Sequence, residues 1–256
     1  MSEITRRSLL KSAAVGAASI STLGLLAACA NEQPQAQAEN EDAKTGEGST
    51  YVADVLDPAD IPDASTASNF NIVPNSTTAV GTTYENLLTA ITGETGATTK
   101  YEAYAKVAEQ EGFSQIARLF QCTSDAEKIH IELEFALAQE IEPDTERPEP
   151  PAVEEHESDI NLISGANGEI YETSDMYPSF IKKAQEEGND KAVQVFTRAK
   201  LAEAYHAKLY MDAYTTIDAP FDGSYYLCPI CGYIHKGDDF EKCPICFTPA
   251  DKFRKF

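Results

Sequence analysis

Seven side chains could do chemistry together in this sequence: Glu94, then Glu127 with His130, then Glu169 with Glu172, then Glu203 with His206. The members of each pair are three positions apart, which on an α-helix puts both on one face, a turn from each other. The stretch offers one single carboxylate and three two-pronged ligand sets, each on its own helix. One Glu from each of two helices and Glu-x-x-His from each of two more is the ligand set of a carboxylate-bridged metal pair inside a four-helix bundle. One carboxylate is left over. Five carboxylates converging in a core repel each other and cost several kcal/mol each to desolvate, so cations are expected among them. Two divalent ions balance four of those charges and leave the fifth Glu as a ligand in reserve. Oxygen-rich ligation with two imidazoles suits iron or manganese better than zinc or copper. Any one of these glutamates alone would read as surface charge on an amphipathic helix. Their repetition, in order and on inner faces, singles them out. Tyr101, two turns after Glu94, and Tyr177, five residues after Glu172, could each bring a phenol to the metals or simply pack.

A second set of ligands closes the chain. Cys228-Pro-Ile-Cys231 and Cys243-Pro-Ile-Cys246 stand eleven residues apart. This is metal spacing rather than a disulfide framework, and it suits either tetrahedral zinc or a single iron. A segment as short as 222–256 needs such a staple to fold.

Helices must position the first set. Leu87, Ala90, Glu94, Ala97, Tyr101, Ala105 and Ala108 share one face at the 3.6-residue period, and Gly112 ends this first helix. Gly93 and Gly96 weaken it by about 1 kcal/mol each relative to Ala and would allow close approach at the cluster. A second helix runs from about 114 to 140, with Glu127 and His130 among its apolar positions. Glu142 to Asp159 is a Pro-rich acidic linker, long enough to cross a bundle; His156 within it reads as solvated. A third helix, about 159–187, carries Glu169 and Glu172. A fourth, about 189–215, carries Glu203 and His206, and the short Gly188-Asn189 turn makes these two antiparallel neighbours.

Ahead of the bundle the composition changes. Residues 1–28 are a signal segment, with Arg6-Arg7 followed by a small, apolar run from Ala13 to Ala28 that is short for a membrane span. The paired arginines resemble the twin-arginine export signal. Leu26-Ala27-Ala28-Cys29 resembles a bacterial lipobox, in which Cys29 would carry the lipid. Residues 29–80, rich in Ala, Glu, Asp, Ser, Thr and Pro, read as a flexible acidic tether. The chain carries a net charge of −22 over 256 residues, which argues against nucleic acid as a partner.

Taken together, Gly93-Glu94-Thr95, Asp125-Ala-Glu127-Lys-Ile-His130, Gly168-Glu169-Ile-Tyr-Glu172, Met176-Tyr177-Pro178, Ala202-Glu203-Ala-Tyr-His206 and the two knuckles, the first followed by Gly232-Tyr233, resemble rubrerythrin. The resemblance covers about 81–256. It implies an all-α, ferritin-like four-helix bundle over 81–217 followed by a small metal-stapled rubredoxin-like β/knuckle domain over 222–256. It further implies a di-iron centre held by Glu94, Glu127, His130, Glu169, Glu172, Glu203 and His206, with Glu127 and Glu203 bridging and His130 and Glu172 among the terminal ligands. One iron would exchange a Glu for the His as its oxidation state changes. Cys228, Cys231, Cys243 and Cys246 would hold one rubredoxin-type iron, and Tyr101 and Tyr177 would border the di-iron centre. The implied activity is peroxidase: hydrogen peroxide reduced to water with electrons supplied through the rubredoxin iron. The implied assembly is a dimer or larger, with the rubredoxin iron of one subunit near the di-iron site of another.

Three features depart from that pattern. Phe247 stands where many rubredoxins have Gly, in a turn that tolerates it. Cys122 precedes Glu127 by five residues and reads as a small buried residue, with a redox role as the alternative. The export segment is unusual, and it leaves the electron donor unknown. The expected protein is an exported lipoprotein anchored on the outer side of the cytoplasmic membrane. Oxygen-dependent iron oxidation, an iron-binding or electron-transfer lipoprotein, and a zinc ribbon on a helical bundle are the alternatives.

Overall fold

The structure is a computed structural model that describes Ser76 and residues 78–256. The signal segment, Cys29 and nearly all of the tether lie outside the described residues. Among the described residues five α-helices make four rods: α1 (Thr83–Gln110), α2 (Ser114–Ile141), α3 (Ser158–Tyr171) continued through a π-helical turn (Glu172–Met176) into α4 (Tyr177–Glu186), and α5 (Asp190–Thr215). Around the bundle, α1 packs on α2, α2 on α5, α5 on α3 and α4, and these close back on α1.

Each rod reads apolar, polar, apolar along its length. One apolar cluster contains Leu87 and Ile91 of α1, Ile131 and Leu137 of α2, Phe180 of α4 and Phe196 of α5. The other contains Tyr101 and Ala108, Ile116 and Phe120, Leu162, and Tyr210 from the same rods. Glu94, Glu127, Glu169 and Glu203 fall between the two clusters in sequence, so the polar layer is sandwiched by apolar ones. The order of the clusters also gives the chain direction. α1 runs opposite to α2, α2 and α3 run the same way, and α5 runs opposite to both.

Two consecutive parallel rods need a connection as long as the rod itself. α2 has 28 residues, about 42 Å at 1.5 Å per residue. The linker between Ile141 and Ser158 is non-helical and long enough to cover that distance when extended at roughly 3.3 Å per residue. Its path lies along α1. Thr145 Oγ1 meets Tyr84 Oη at 3.0 Å near the start of α1. A Cβ added to Gly96 would sit 3.6 Å from Pro151, so this glycine faces the linker rather than the metal cluster. At the far end Glu111 accepts the Ser158 amide at 3.0 Å.

The tight corners follow local rules. Gly112 and Gly188 adopt positive φ (84° and 70°) where α1 and α4 end. α1 opens with a reciprocal cap: Thr82 Oγ1 accepts from the Glu85 amide at 3.2 Å, and Glu85 Oε2 accepts from the Thr82 amide at 2.7 Å. Asn189 caps α5 by accepting from the Ala192 amide at 3.0 Å.

After α5 the chain forms a three-stranded antiparallel sheet in the order β2-β1-β3: β1 (Tyr225–Leu227), β2 (Ile234–Lys236) and β3 (Arg254–Lys255). Tyr225, Leu227 and Ile234 enter the apolar cluster of the bundle. Arg254 pairs with Asp125 of α2. The small domain is thereby fixed on its own bundle. Phe247 has φ +62°, the left-handed conformation that a Gly would adopt without cost, and it is 66% exposed.

Replacing Thr82 by Ala removes one half of the α1 cap and should lower stability by about 1 kcal/mol, with Thr82→Ser close to the parent. Chemical denaturation followed by far-ultraviolet circular dichroism measures it.

Candidate metal centre

The four rods bring six of the seven predicted side chains into two overlapping groups. Glu94, Glu127, His130 and Glu203 form one; Glu127, Glu169, Glu203 and His206 form the other, and within each group the candidate ligand atoms lie within 4.8 Å of one another. Glu127 and Glu203 belong to both, as bridging carboxylates must. His130 Nδ1 lies 2.7 Å from Glu203 Oε1 and 3.1 Å from Glu127 Oε2. His206 Nδ1 lies 2.6 Å from Glu203 Oε2 and 3.8 Å from Glu127 Oε1. The halves are related by a pseudo-two-fold: α1 and α2 supply the unshared ligands of one, α3 and α5 those of the other.

Glu172, the seventh, stands apart. It opens the π-helical turn and belongs to neither group. A π turn adds one residue to a helical turn and re-aims the side chains beyond it. The expected third helix is therefore continuous in direction but not α-helical throughout.

The imidazoles are fixed from behind. His130 Nε2 lies 3.1 Å from the Cys231 carbonyl, and His206 Nε2 lies 2.9 Å from the Gly232 carbonyl. A carbonyl can only accept, so each Nε2 carries the hydrogen and donates. Each Nδ1 then presents its lone pair to the cluster, the tautomer a metal ligand needs. Gly232 allows this approach: with φ +74°, a Cβ there would fall 2.3 Å from His130 Nε2. The contact is made within one chain. The packing of Tyr225, Leu227 and Ile234 onto the bundle brings the knuckle to these histidines.

Two phenols hold the outer carboxylates. Tyr101 donates to Glu169 Oε1 and Tyr177 donates to Glu94 Oε1. Both rings are at most 1% exposed, and burial pushes both phenols well above their ordinary pKa, so they stay protonated. A residue outside the seven joins them: Glu134, fully buried on α2, 2.9 Å from Tyr177 Oη. It sits one turn beyond His130, on the same face as Glu127 and His130, so its spacing is visible in the sequence.

The donor set fits metal ions. Glu94 Oε2, Glu169 Oε2, both oxygens of Glu127 and of Glu203, and both Nδ1 atoms are buried and make no hydrogen bond within the protein. At 2.6–2.7 Å, a lone pair of Glu203 faces one of each imidazole, a contact that only a proton or a cation between them relieves. Burial, then repulsion from neighbouring carboxylates, pushes Glu94 and Glu169 well above the ordinary carboxylate range. Burial would lower His130 and His206, but the facing carboxylates, Glu203 first, outweigh it and raise both. Burial would likewise raise Glu203, yet the two imidazoles hold it well below its ordinary value. Protons take the place of cations in this geometry, and metal ions must displace them.

The four cysteines form the second centre. Cys228 Sγ lies 3.4 Å from Cys246 Sγ, and Cys231 Sγ 3.5 Å from Cys243 Sγ. Around one ion with metal–sulfur bonds of about 2.3 Å, tetrahedral sulfurs would stand roughly 3.8 Å apart. The amides of Ile245 and Cys246 point at Cys243 Sγ, both at 3.4 Å. Cys122 takes no part: it is fully buried and burial pushes its thiol well up, away from the thiolate form.

Glu203→Ala removes a member of both four-ligand groups. It should empty the bundle of both metal ions and leave the cysteine site loaded, so elemental analysis falls from three ions per chain to one.

The sequence matches the family described as rubrerythrin over residues 85–214, and its rubredoxin-like domain over residues 226–254. It is 63% identical to nigerythrin of Nitratidesulfovibrio vulgaris over 198 residues, which is 77% of this chain and 98% of that protein. It is 34% identical to the rubrerythrin of the same organism over 182 residues, 67% of this chain and 92% of that one. A solved structure described as the fully reduced, all-ferrous state of nigerythrin superposes with a TM-score of 0.73, at 63% identity, over 77% of this chain and 98% of that chain. With the ligand clusters in place, these matches show that the chain belongs to the rubrerythrin family, its carboxylate–histidine cluster the di-iron site and its four cysteines the rubredoxin-like iron site.

Proposed function

We propose that this chain is a peroxidase that reduces hydrogen peroxide to water with electrons entering through the four-cysteine iron. The observation that carries this reading is the seating of the cysteine knuckle on the cluster. The carbonyls of Cys231, itself a cysteine ligand, and of Gly232 accept hydrogen bonds from the two imidazoles at 3.1 and 2.9 Å. One covalent stretch and two hydrogen bonds thus join the centres. A zinc ribbon could carry no electron along that path.

Bound iron supplies the chemistry: two electrons for the O–O bond in the bundle, and a one-electron store in the knuckle. The overall reaction takes one peroxide, two electrons and two protons to two waters. The chain's own residues hold, shield and orient. Glu127 and Glu203 hold the two halves together. Tyr101 and Tyr177 keep their protons and fix Glu169 and Glu94 by donating to one oxygen of each. Apolar clusters on either side exclude bulk water, leaving peroxide, a small neutral molecule, better able to enter than an anion. Glu172, free of both ligand groups, is the reserve carboxylate of the proposal.

The proposal includes the setting. The twin-arginine and lipobox patterns support a protein outside the cytoplasmic membrane, held by lipid on Cys29; the resemblance to rubrerythrin supports a dimer or larger, reduced by a separate electron donor. No helix among the described residues is long and apolar enough to cross a membrane.

Anaerobically reduced protein, mixed rapidly with peroxide and in parallel with oxygen at equal concentration, should be oxidised faster by peroxide. Faster reaction with oxygen would replace this reading with oxygen-dependent iron oxidation. In Gly232→Ala the added Cβ cannot coexist with His130 at 2.3 Å, and its φ becomes strained. The ferric-thiolate bands should survive while re-reduction of the bundle through the knuckle slows at least about ten-fold in stopped flow, as expected for loss of a positioned contact.

A further inference from the structure

Tyr177 has more hydrogen-bond contacts than protons. Its phenol has a single O–H, which donates to Glu94 Oε1, yet its oxygen also lies 2.9 Å from Glu134 Oε1. With Glu94 ionised as a metal ligand, the phenol's only hydrogen is committed to it, and the second contact is then attractive only if Glu134 brings the hydrogen. Glu134 is fully buried, and the side chains packed about Tyr177 are apolar, Phe180, Phe196 and Ile91 among them. An ionised carboxylate there would be desolvated, and the nearby imidazole of His130 offsets this only in part, so the neutral acid is the stable form. Burial raises its pKa to about 8, which agrees.

The other half of the site supplies an internal comparison. Four residues after His130 stands Glu134; four residues after His206 stands Tyr210. Tyr101 is the counterpart of Tyr177, and its ring neighbour is Tyr210, with centroids 5.3 Å apart. So each half has a phenol on its outer carboxylate, but only one half backs that phenol with an acid.

We propose that Glu134 is a positioning residue: as a neutral acid it donates to the Tyr177 oxygen, commits the phenol's only O–H to Glu94 Oε1, and so turns Glu94 Oε2 to the metal. Glu94 Oε2 is buried with no partner in the protein, as this requires. The metal position beside Glu94 and His130 is then set apart from its twin by a residue that touches no metal. This holds whichever oxidant the bundle meets, so it stands or falls separately from the peroxidase reading.

The test is an anaerobic titration with ferrous ion of protein whose cysteine site is loaded and whose bundle is metal-free. Glu134→Leu should weaken one of the two bundle binding steps by about ten-fold, the size of one hydrogen bond to a charged system, and leave the other within about two-fold. Glu134→Gln, whose amide still donates, should stay within about two-fold of the parent in both. Tyr177→Phe should reproduce the Leu effect, and adding Glu134→Leu to it should cost nothing more. An unchanged titration in Glu134→Leu, an equal loss in Glu134→Gln, or a multiplied loss in the double variant would each overturn the proposal. If Glu134→Leu does not fold, Glu134→Met, flexible and without a donor, takes its place in the same comparison.

Discussion

Desolvated negative charge governs this molecule. Glu94, Glu127, Glu134, Glu169 and Glu203 are all fully buried within one layer of a helical bundle. Each would cost several kcal/mol as an isolated ion in such a place. Everything near them serves to neutralise or divide that charge: two imidazoles, two phenols, the protons they share, and the irons of the site. The apolar clusters on either side sharpen the demand. They remove the water that would otherwise relieve the carboxylates, and so make cation binding the favourable outcome of folding.

The small domain belongs to the same electrostatic arrangement. Its knuckle supplies the carbonyls that keep hydrogen on Nε2 of both histidines and lone pairs on Nδ1. Ligand readiness in the bundle therefore depends on a peptide segment whose own shape depends on four thiolates around an iron. The coupling is short, two hydrogen bonds long, and it needs Gly232, because any Cβ there would collide with His130. One glycine serves both the left-handed turn of the knuckle and the contact between centres.

Much of this was legible in the sequence, for a physical reason. Ligand pairs at i, i+3 can share a face only on a helix, so Glu127/His130, Glu169/Glu172 and Glu203/His206 announced both the helices and their inward sides. The proline-rich stretch after Glu142 announced a crossover, and the parallel run of α2 and α3 requires one of that length. Phe247 announced a turn that tolerates a side chain, and its φ of +62° shows that turn to be left-handed. What escaped was set by packing between distant segments. The π-helical turn from Glu172 to Met176 has no residue signature of its own, since α and π turns accept the same side chains. The seating of the knuckle on its own bundle depends on Tyr225, Leu227 and Ile234 meeting an apolar cluster built largely from helices far away in the chain. Glu134 lay in plain view at i+4 from His130, but the ligand pattern of a metal pair has no place for an acid that contacts a phenol.

Glu134 bears on the pseudo-two-fold itself. A symmetric pair of Glu-x-x-His helices with symmetric phenols would give two equivalent metal positions. Positions that are not equivalent allow one ion to change its ligands while the other keeps them. The chain breaks the symmetry twice, and by different means. Glu172, opening the π turn, adds a carboxylate that belongs to neither ligand group. Glu134 replaces what in the other half is Tyr210, and backs one phenol with a carboxyl where its twin has a second phenol. Neither change disturbs Glu127 and Glu203, the shared carboxylates. The bundle thus keeps a symmetric frame, which fixes where two metal ions sit, and places its asymmetry one contact further out, where it can set how each ion is held.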